Sequence, residues 1–436
     1  MGGNSKMNSI PKGYKKTEIG VIPEDWEFCY ILDKKNLNEA SIQTGPFGTL
    51  LKASEYTSNG IPVISVREIR DGYIFIFEET PFVGGHTCKR LPQFILEEGD
   101  IVFARKGGVD RSAIVQKKYG TLFLGSDGIR LRFKKENPEY IAFWFHSDLL
   151  KKELLQNATG TIMANMSQEI MSHLPLLLPP LPEQKAIAQV LSDMDALVET
   201  QKALIAKKRD IKQGAMQDLL SGRVRLPDYE TKGWKHTDIG KIPDDWKVWE
   251  LGEICQCDMN TLSSSTDPNY SFTYISLECV DSGMLTNTFE YIFSKAPSRA
   301  RKIVNQYNIL ISTVRPNLKS HYYQSSPCEN LICSTGFTVL QTNNNVGKFI
   351  FYHFFSNIIN KQIETIVSGS NYPSINTRDV ASLKIPLPPY TEQKAIAQVL
   401  SDMDNEIETL EAELEKLNHM KRGMMQELLT GRIRLV

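Results

Sequence analysis

At 436 residues, with 41% apolar and 23% charged side chains, the chain has room for two to four ordinary globular domains. A net charge of −1 argues against a simple polycation that coats nucleic acid, and leaves local basic loops, or partners that contribute part of the positive surface, as the ways to meet one. No apolar run approaches the ~18 residues of a membrane span and no signal-peptide core opens the chain, so a cytoplasmic location is expected. The seven cysteines show no CxxC pair and read as idle thiols.

Taken in order, the chain says most things twice. The stretch from Lys12 to Trp26 returns from Lys232 to Trp246, with Ile-Gly-x-Ile-Pro-x-Asp-Trp common to both. Val63–Val66 corresponds to Tyr274–Leu277, Gly99–Ala104 to Tyr307–Ser312, and Ser126–Leu131 to Ser334–Val339. These short apolar runs, each leading to a polar loop, predict strands. An aromatic helical stretch follows in both copies, Tyr140 to Leu155 and Phe349 to Ile363, and then a small polar loop. The segment from Glu183 to Asp195 recurs unchanged from Glu392 to Asp404, an offset of 209, behind Leu178-Pro-Pro and Leu387-Pro-Pro. Self-similarity at one spacing means two copies of one unit.

The repeated segment predicts a long helix in each copy. Ile187, Val190, Met194, Leu197, Leu204, Ile211 and Ala215 form an apolar stripe in the first, interrupted by Gln201 and Lys208. In the second the stripe is Ile396, Val399, Met403, Ile407, Leu410, Leu414 and Leu417. Such stripes pack lengthwise on another helix. Pro182 sits at one N-terminal end and Thr391 is placed to cap the other; Gly222 and Gly431 are placed for left-handed C-terminal caps. From Glu183 to Ser221 the helix would span roughly 58 Å at about 1.5 Å per residue. Each helix is the other's obvious partner. With helices this similar, residues 1–226 alone are expected to self-pair, Gln201 and Lys208 being the weak points.

No catalytic constellation emerges. There is no phosphate-cradling Gly-x-x-x-x-Gly-Lys-Ser/Thr loop and no Gly-x-Ser-x-Gly elbow. Leu387-Pro-Pro-Tyr390 is similar to the Asn-Pro-Pro-Tyr motif of adenine methyltransferases, but has Leu where the amide is needed. A loose nuclease-like pattern, Asp228 with Asp245 and Lys247, is broken in the other copy, where Glu27 replaces the lysine. A self-contained methyltransferase or nuclease with its site between the halves is the alternative reading, and it needs a cofactor loop that the sequence does not show.

What remains is binding. The strand-to-loop tips differ between copies yet stay rich in Arg, Lys and Asn, which suit base edges and phosphates. By position, DNA contacts are expected from Arg105, Lys106, Arg111, Thr161 and Asn165 in the first copy. In the second they are expected from Thr313, Arg315, Asn317, Lys319 and Asn371.

The order of variable module, repeated helix, variable module, repeated helix resembles the specificity subunit of type I restriction–modification systems. So do the Pro-Pro segments before Glu183-Gln-Lys and Glu392-Gln-Lys, and the exits Leu219-Leu-Ser-Gly-Arg and Leu428-Leu-Thr-Gly-Arg. The resemblance implies an α+β chain of two strand-rich target-recognition domains separated by two long helices. The helices would pair as an antiparallel coiled coil with internal pseudo-two-fold symmetry. Domains are then expected at residues 1–177 and 227–386, with spacer helices at 178–226 and 387–436. The resemblance also implies a non-catalytic subunit that binds double-stranded DNA, each module reading one half of a bipartite target. Two methyltransferase subunits and the restriction motor subunits would be its partners. S-adenosylmethionine, ATP and Mg2+ would sit on those partners and no cofactor or metal on this chain.

Overall fold

The computed structural model describes residues 10–108, 110–157, 166–230, 232–342, 347–367 and 373–435. It divides into two compact units, residues 1–202 with 413–436, and residues 203–412. Each unit therefore holds one strand-rich module, the first half of the helix that follows it, and the last half of the other copy's helix.

In the first unit a four-stranded sheet runs in the order Ser112–Ile114, Ile101–Ala104, Gly128–Phe133, Ala40–Thr44, all antiparallel. A second sheet pairs Ile61–Ile64 with Leu122–Leu124 in parallel, flanked by Ile95–Leu96 and Phe82–Val83. Every residue of Ile101–Ala104 is buried, because alternate side chains serve different cores. Ile101 and Phe103 pack with Ile129, Leu131 and the helical layer, whereas Val102 packs with Val63, Ile64 and Leu122.

The second unit repeats this topology. Its four-stranded sheet runs Tyr322–Tyr323, Ile309–Ser312, Phe337–Thr342, Cys255–Cys257. Its other sheet pairs Ser271–Ile275 in parallel with Leu331–Ser334. Ile309 and Ile311 face one core and Leu310 the other. The six strands expected from sequence are all present, their ends displaced by at most three residues.

The aromatic helical stretch is divided into two helices in each unit, Pro138–Phe145 with Asp148–Asn157, and Gly347–His353 with Asn357–Ile366. A serine makes the break. Ser147 accepts a hydrogen bond from the Leu150 N–H at 3.3 Å, and Ser356 from the Ile359 N–H at 3.4 Å, so each hydroxyl serves the start of a new helix.

The long helices are Leu181–Ser221 and Tyr390–Leu428. Thr391 lies inside the first turn and not at the cap, since the helix already starts at Tyr390. Gly222 and Gly431 have φ of 69° and 70°, the left-handed conformation expected of them. Each is also a point of close approach: a Cβ on Gly222 would fall 2.6 Å from Pro243, and one on Gly431 2.5 Å from Pro23.

The buried face of the first helix corrects the stripe. Leu197, Leu204 and Ile211 are exposed, by 48%, 38% and 47%. The covered positions are Ile187, Leu191, Met194, Val198, Gln201, Ile205, Lys208, Lys212, Ala215 and Leu219, alternating steps of four and three. The second helix covers Ile396, Leu400, Met403, Ile407, Leu410, Leu414, Leu417, Lys421, Met424 and Leu428, the same register 209 residues on. Val190 and Val399 are half-buried beside it. The first stripe slipped because three seam positions carry polar side chains, and apolarity alone pointed one residue aside. Those polar groups have partners on the opposite helix. Gln201 donates to Glu413 at 3.2 Å and Lys421 pairs with Asp195 in the first unit. Lys208 pairs with Glu406, Arg209 with Glu411 and Lys212 with Asp404 in the second. The two helices thus run antiparallel within each unit.

Candidate nucleic-acid interface

Four loops meet at one end of the first unit's four-stranded sheet. The Arg105 N–H donates to the Asp127 carbonyl at 2.9 Å, the Met166 N–H donates to the Arg105 carbonyl at 2.8 Å, and Gln168 reaches the Thr44 hydroxyl at 2.7 Å. Gly45 permits the crossing of two of these loops, since a Cβ there would sit 1.7 Å from the Gly125 carbonyl oxygen. That crossing sets Phe47, 46% exposed, beside the tip.

The three basic residues expected here differ in circumstance. The Arg105 guanidinium lies 4.4 Å from the Phe47 ring centroid, and its buried Nε has no hydrogen-bond partner among the described residues. Lys106 pairs with Asp127 at 3.2 Å. Arg111 folds back on its own loop, its Nη2 3.4 Å from the Gly107 carbonyl and its guanidinium packed on Gly108. Thr161 and Asn165 lie outside the described residues, as does Asn371.

The second unit builds its tip by the same rules with other side chains. The Thr313 N–H and hydroxyl both donate to the Gly336 carbonyl, at 2.9 and 2.7 Å. The Ile375 N–H donates to the Thr313 carbonyl, as Met166 does to Arg105. Arg315 and Lys319 both adopt left-handed backbone, φ 48° and 54°, around a short 3-10 turn that carries Asn317. Non-glycine residues in that conformation mark a loop held by its surroundings. Asp258, missed in the sequence, ties the tip together: it accepts from Lys302, Thr377 and the Val339 N–H at 2.7, 2.7 and 2.9 Å. A lone aspartate after a strand carries no sequence signal.

At the other end of each module a buried ion cluster joins helix to hairpin. In the first unit Glu183 accepts from the Trp26 indole at 3.0 Å and from Arg434 at 2.6 and 2.8 Å, while Arg434 also grips Asp25. Glu392, Trp246, Arg225 and Asp245 repeat this in the second unit, with Arg225 donating at 2.7 and 2.6 Å to Glu392. The Glu183 and Asp25 hydrogen bonds hold the Arg434 guanidinium well above its usual range. Asp245, one member of the nuclease-like pattern, is occupied by this structural role, and Leu387 of the Pro-Pro-Tyr motif lies in the strand Lys384–Leu387.

One proximity invites a catalytic reading and fails it. Ser112, His146 and Asp71 lie together, but the serine hydroxyl at 3.0 Å and the Asp71 carboxylate at 3.6 Å both address Nε2 of the same ring. A relay needs the two partners on opposite nitrogens. Burial lowers the His146 pKa, and Ser112 is 1% exposed, closed to a substrate. A cleft of about 1560 Å³ beside them is lined by charges that largely cancel, Lys151 against Asp71 and Lys421 against Asp195. Among the described residues, no three His, Cys, Asp or Glu side chains are placed to hold a metal.

Comparison with known proteins places this architecture. A sequence model of the type I restriction modification DNA specificity domain matches the chain twice, over residues 41–207 and 243–419. The chain belongs to that family of type I restriction–modification specificity subunits. A protein of Methanocaldococcus jannaschii named for the type I restriction enzyme MjaX specificity subunit is 30% identical over 437 residues, 97% of each chain. The MjaVIII specificity subunit of the same organism is 27% identical over 95% of this chain and 94% of its own. The crystal structure of an S subunit from M. genitalium superposes with a TM-score of 0.55 at 16% identity, covering 92% of this chain and 96% of that one. A chain from a structural study of type I system assembly gives 0.53 at 15% identity, over 94% and 99%. These two show a shared fold.

Proposed function

We propose that this chain is the non-catalytic DNA-reading subunit of a type I complex. Each strand-rich module reads one half of a bipartite target through the loop end of its four-stranded sheet. The observation that carries this is the pair of tips: two sets of loops joined by equivalent backbone hydrogen bonds on a duplicated frame, yet presenting Arg105 and Phe47 in one and Arg315, Asn317 and Lys319 in the other. A scaffold that kept its frame and varied its tips is suited to reading two different sequences.

In this reading the two long helices form an antiparallel coiled coil and relate the modules by a pseudo-two-fold operation. They set the gap between half-sites and present the docking surface for two methyltransferase subunits. Those partners bring S-adenosylmethionine; motor subunits bring ATP and Mg2+ for cleavage. The domain limits proposed are residues 1–177 and 227–386 for recognition, and 178–226 and 387–436 for the spacer, in the cytoplasm where the DNA lies.

Methylation mapping in cells that express this chain with its methyltransferase partners tests the proposal. An interrupted motif with two unlike halves is expected. Methyl transfer by the isolated chain, or a motif that is continuous, overturns it.

A further inference from the structure

The helices are identical at Glu183–Asp195 and Glu392–Asp404 and then part company. From Thr200 to Lys212 the first helix carries Lys202, Lys207, Lys208, Arg209 and Lys212 against one acid, Asp210. The matching stretch of the second, Thr409 to Lys421, opens with Glu411, Glu413 and Glu415, just after Glu406 and Glu408. We propose that these middle segments select the partner, so that each half of the chain accepts the complementary half and rejects its own copy. The inference rests on the helix pairing proposed above and goes beyond it, to a rule about which helices pair.

The argument follows from substituting equivalents at an offset of 209. The partners of the first helix are Glu413, Glu406, Glu411 and Asp404, meeting Gln201, Lys208, Arg209 and Lys212. In a pair of two first helices their places are taken by Leu204, Leu197, Lys202 and Asp195. Gln201 and Lys208 then face leucines and Arg209 faces a lysine; only the Lys212 contact with an aspartate survives. In a pair of two second helices, Glu413, Glu406 and Glu411 meet Leu410, Leu417 and Asn418, and only Asp404 keeps a lysine, Lys421. The identical ends therefore tolerate any pairing and the middles do not. Rejection comes as much from the desolvated or like-charged mismatches as from the lost ion pairs. This confines the expected self-pairing of residues 1–226 to the case in which no complementary half is present.

Exchanging two complementary pairs for one of each self-pair removes two copies of three polar contacts. At roughly twofold to threefold per half-exposed contact, the exchange constant should disfavour self-pairs by on the order of a hundredfold. The effect should shrink as salt rises.

The test uses the full chain, folded intact and then cleaved at a protease site inserted after Glu230, in the short join. The products are incubated to exchange, and native mass spectrometry weighs the pairs. A persistent one-to-one pair of unlike halves is expected. A second protein, with Lys208, Arg209, Glu406 and Glu411 all changed to alanine, should redistribute toward a statistical mixture. A further protein with K208E, R209E, E406K and E411K together should again hold unlike halves. Self-pairs from the unaltered chain, or unlike pairs that persist equally in the alanine protein, overturn the selection rule while leaving helix pairing in place. Separation into monomers would instead overturn the pairing itself.

Discussion

The first and second units are one frame built twice, and their differences are not spread evenly. Both keep the tryptophan–glutamate–arginine–aspartate cluster, atom for atom. Both keep the serine that starts the second short helix. They part at the tips, and one substitution in the core changes its chemistry. Trp144 donates its indole N–H to the Pro175 carbonyl at 2.9 Å; the position 209 residues on is His353, fully buried, with neither ring nitrogen hydrogen-bonded among the described residues. Burial pushes His353 down to about 3, and His321, also in the second unit, likewise. A frame under packing constraint stays put, and a reading surface does not. The second unit additionally tolerates a polar group where the first has a satisfied aromatic.

The clusters give the sharpest contrast between units. The Arg225 side chain is 5% exposed and Arg434 30%, over glutamates exposed by 0% and 1%. R225A should strand a buried carboxylate and cost about 3–5 kcal/mol. R434A admits water and should cost less, on the order of 1–3 kcal/mol. Urea midpoints of the two proteins check the ranking; equal losses would mean that exposure does not govern the cluster.

At the tips, the contrast is between a stacked arginine and its tethered neighbours. R105A should weaken the first half-site by ~1–3 kcal/mol and relax one base position there, with guanine the expected base. F47A should relax the same position, because the ring holds the guanidinium in place. K106A should act on all sequences alike and lower the salt slope by about one. Selection of binding sequences from a random pool, read separately for each half-site, distinguishes these, and any change in the second half-site breaks the assignment.

The smallest effect is acid sensitivity of the second unit. A histidine whose folded pKa is about 3 and unfolded value about 6.5 stays neutral when folded, so its stabilising contribution is complete above pH 6.5 and falls as pH drops toward 3. Each of His321 and His353 should cost about 1 kcal/mol between pH 6.5 and 5.5. H353F should remove about half of that dependence. Thermal unfolding at the two pH values measures it, and an unchanged pH dependence in H353F would show that His353 is not held neutral.

Much of this molecule is written in local sequence. The duplication, the long helices, the glycine caps at Gly222 and Gly431 and the paired strands are read from periodicity and punctuation, because each depends on residues a few positions apart. The first helix's seam was misread by one residue, at Leu197 for Val198 and Leu204 for Ile205. What makes Gln201 and Lys208 acceptable in a buried stripe is the acid opposite, which no window of the first helix contains. The strand pattern marks where the loops at Arg105 and Thr313 begin, but Phe47 and Asp258 join them only through contacts that cross from strand to strand.

The deepest choice left to tertiary structure concerns Arg434. Its surroundings in sequence, Leu-Leu-Thr-Gly-Arg-Ile-Arg, nearly match those of Arg225, and Glu183-Gln-Lys nearly matches Glu392-Gln-Lys with its own flanks. On chemistry alone either arginine serves either glutamate. Arg434 meets Glu183, and Arg225 meets Glu392, because antiparallel helices bring the exit of one beside the start of the other. Sequence determined that there would be two such clusters; the direction of helix packing decided that each is completed by the other copy's tail.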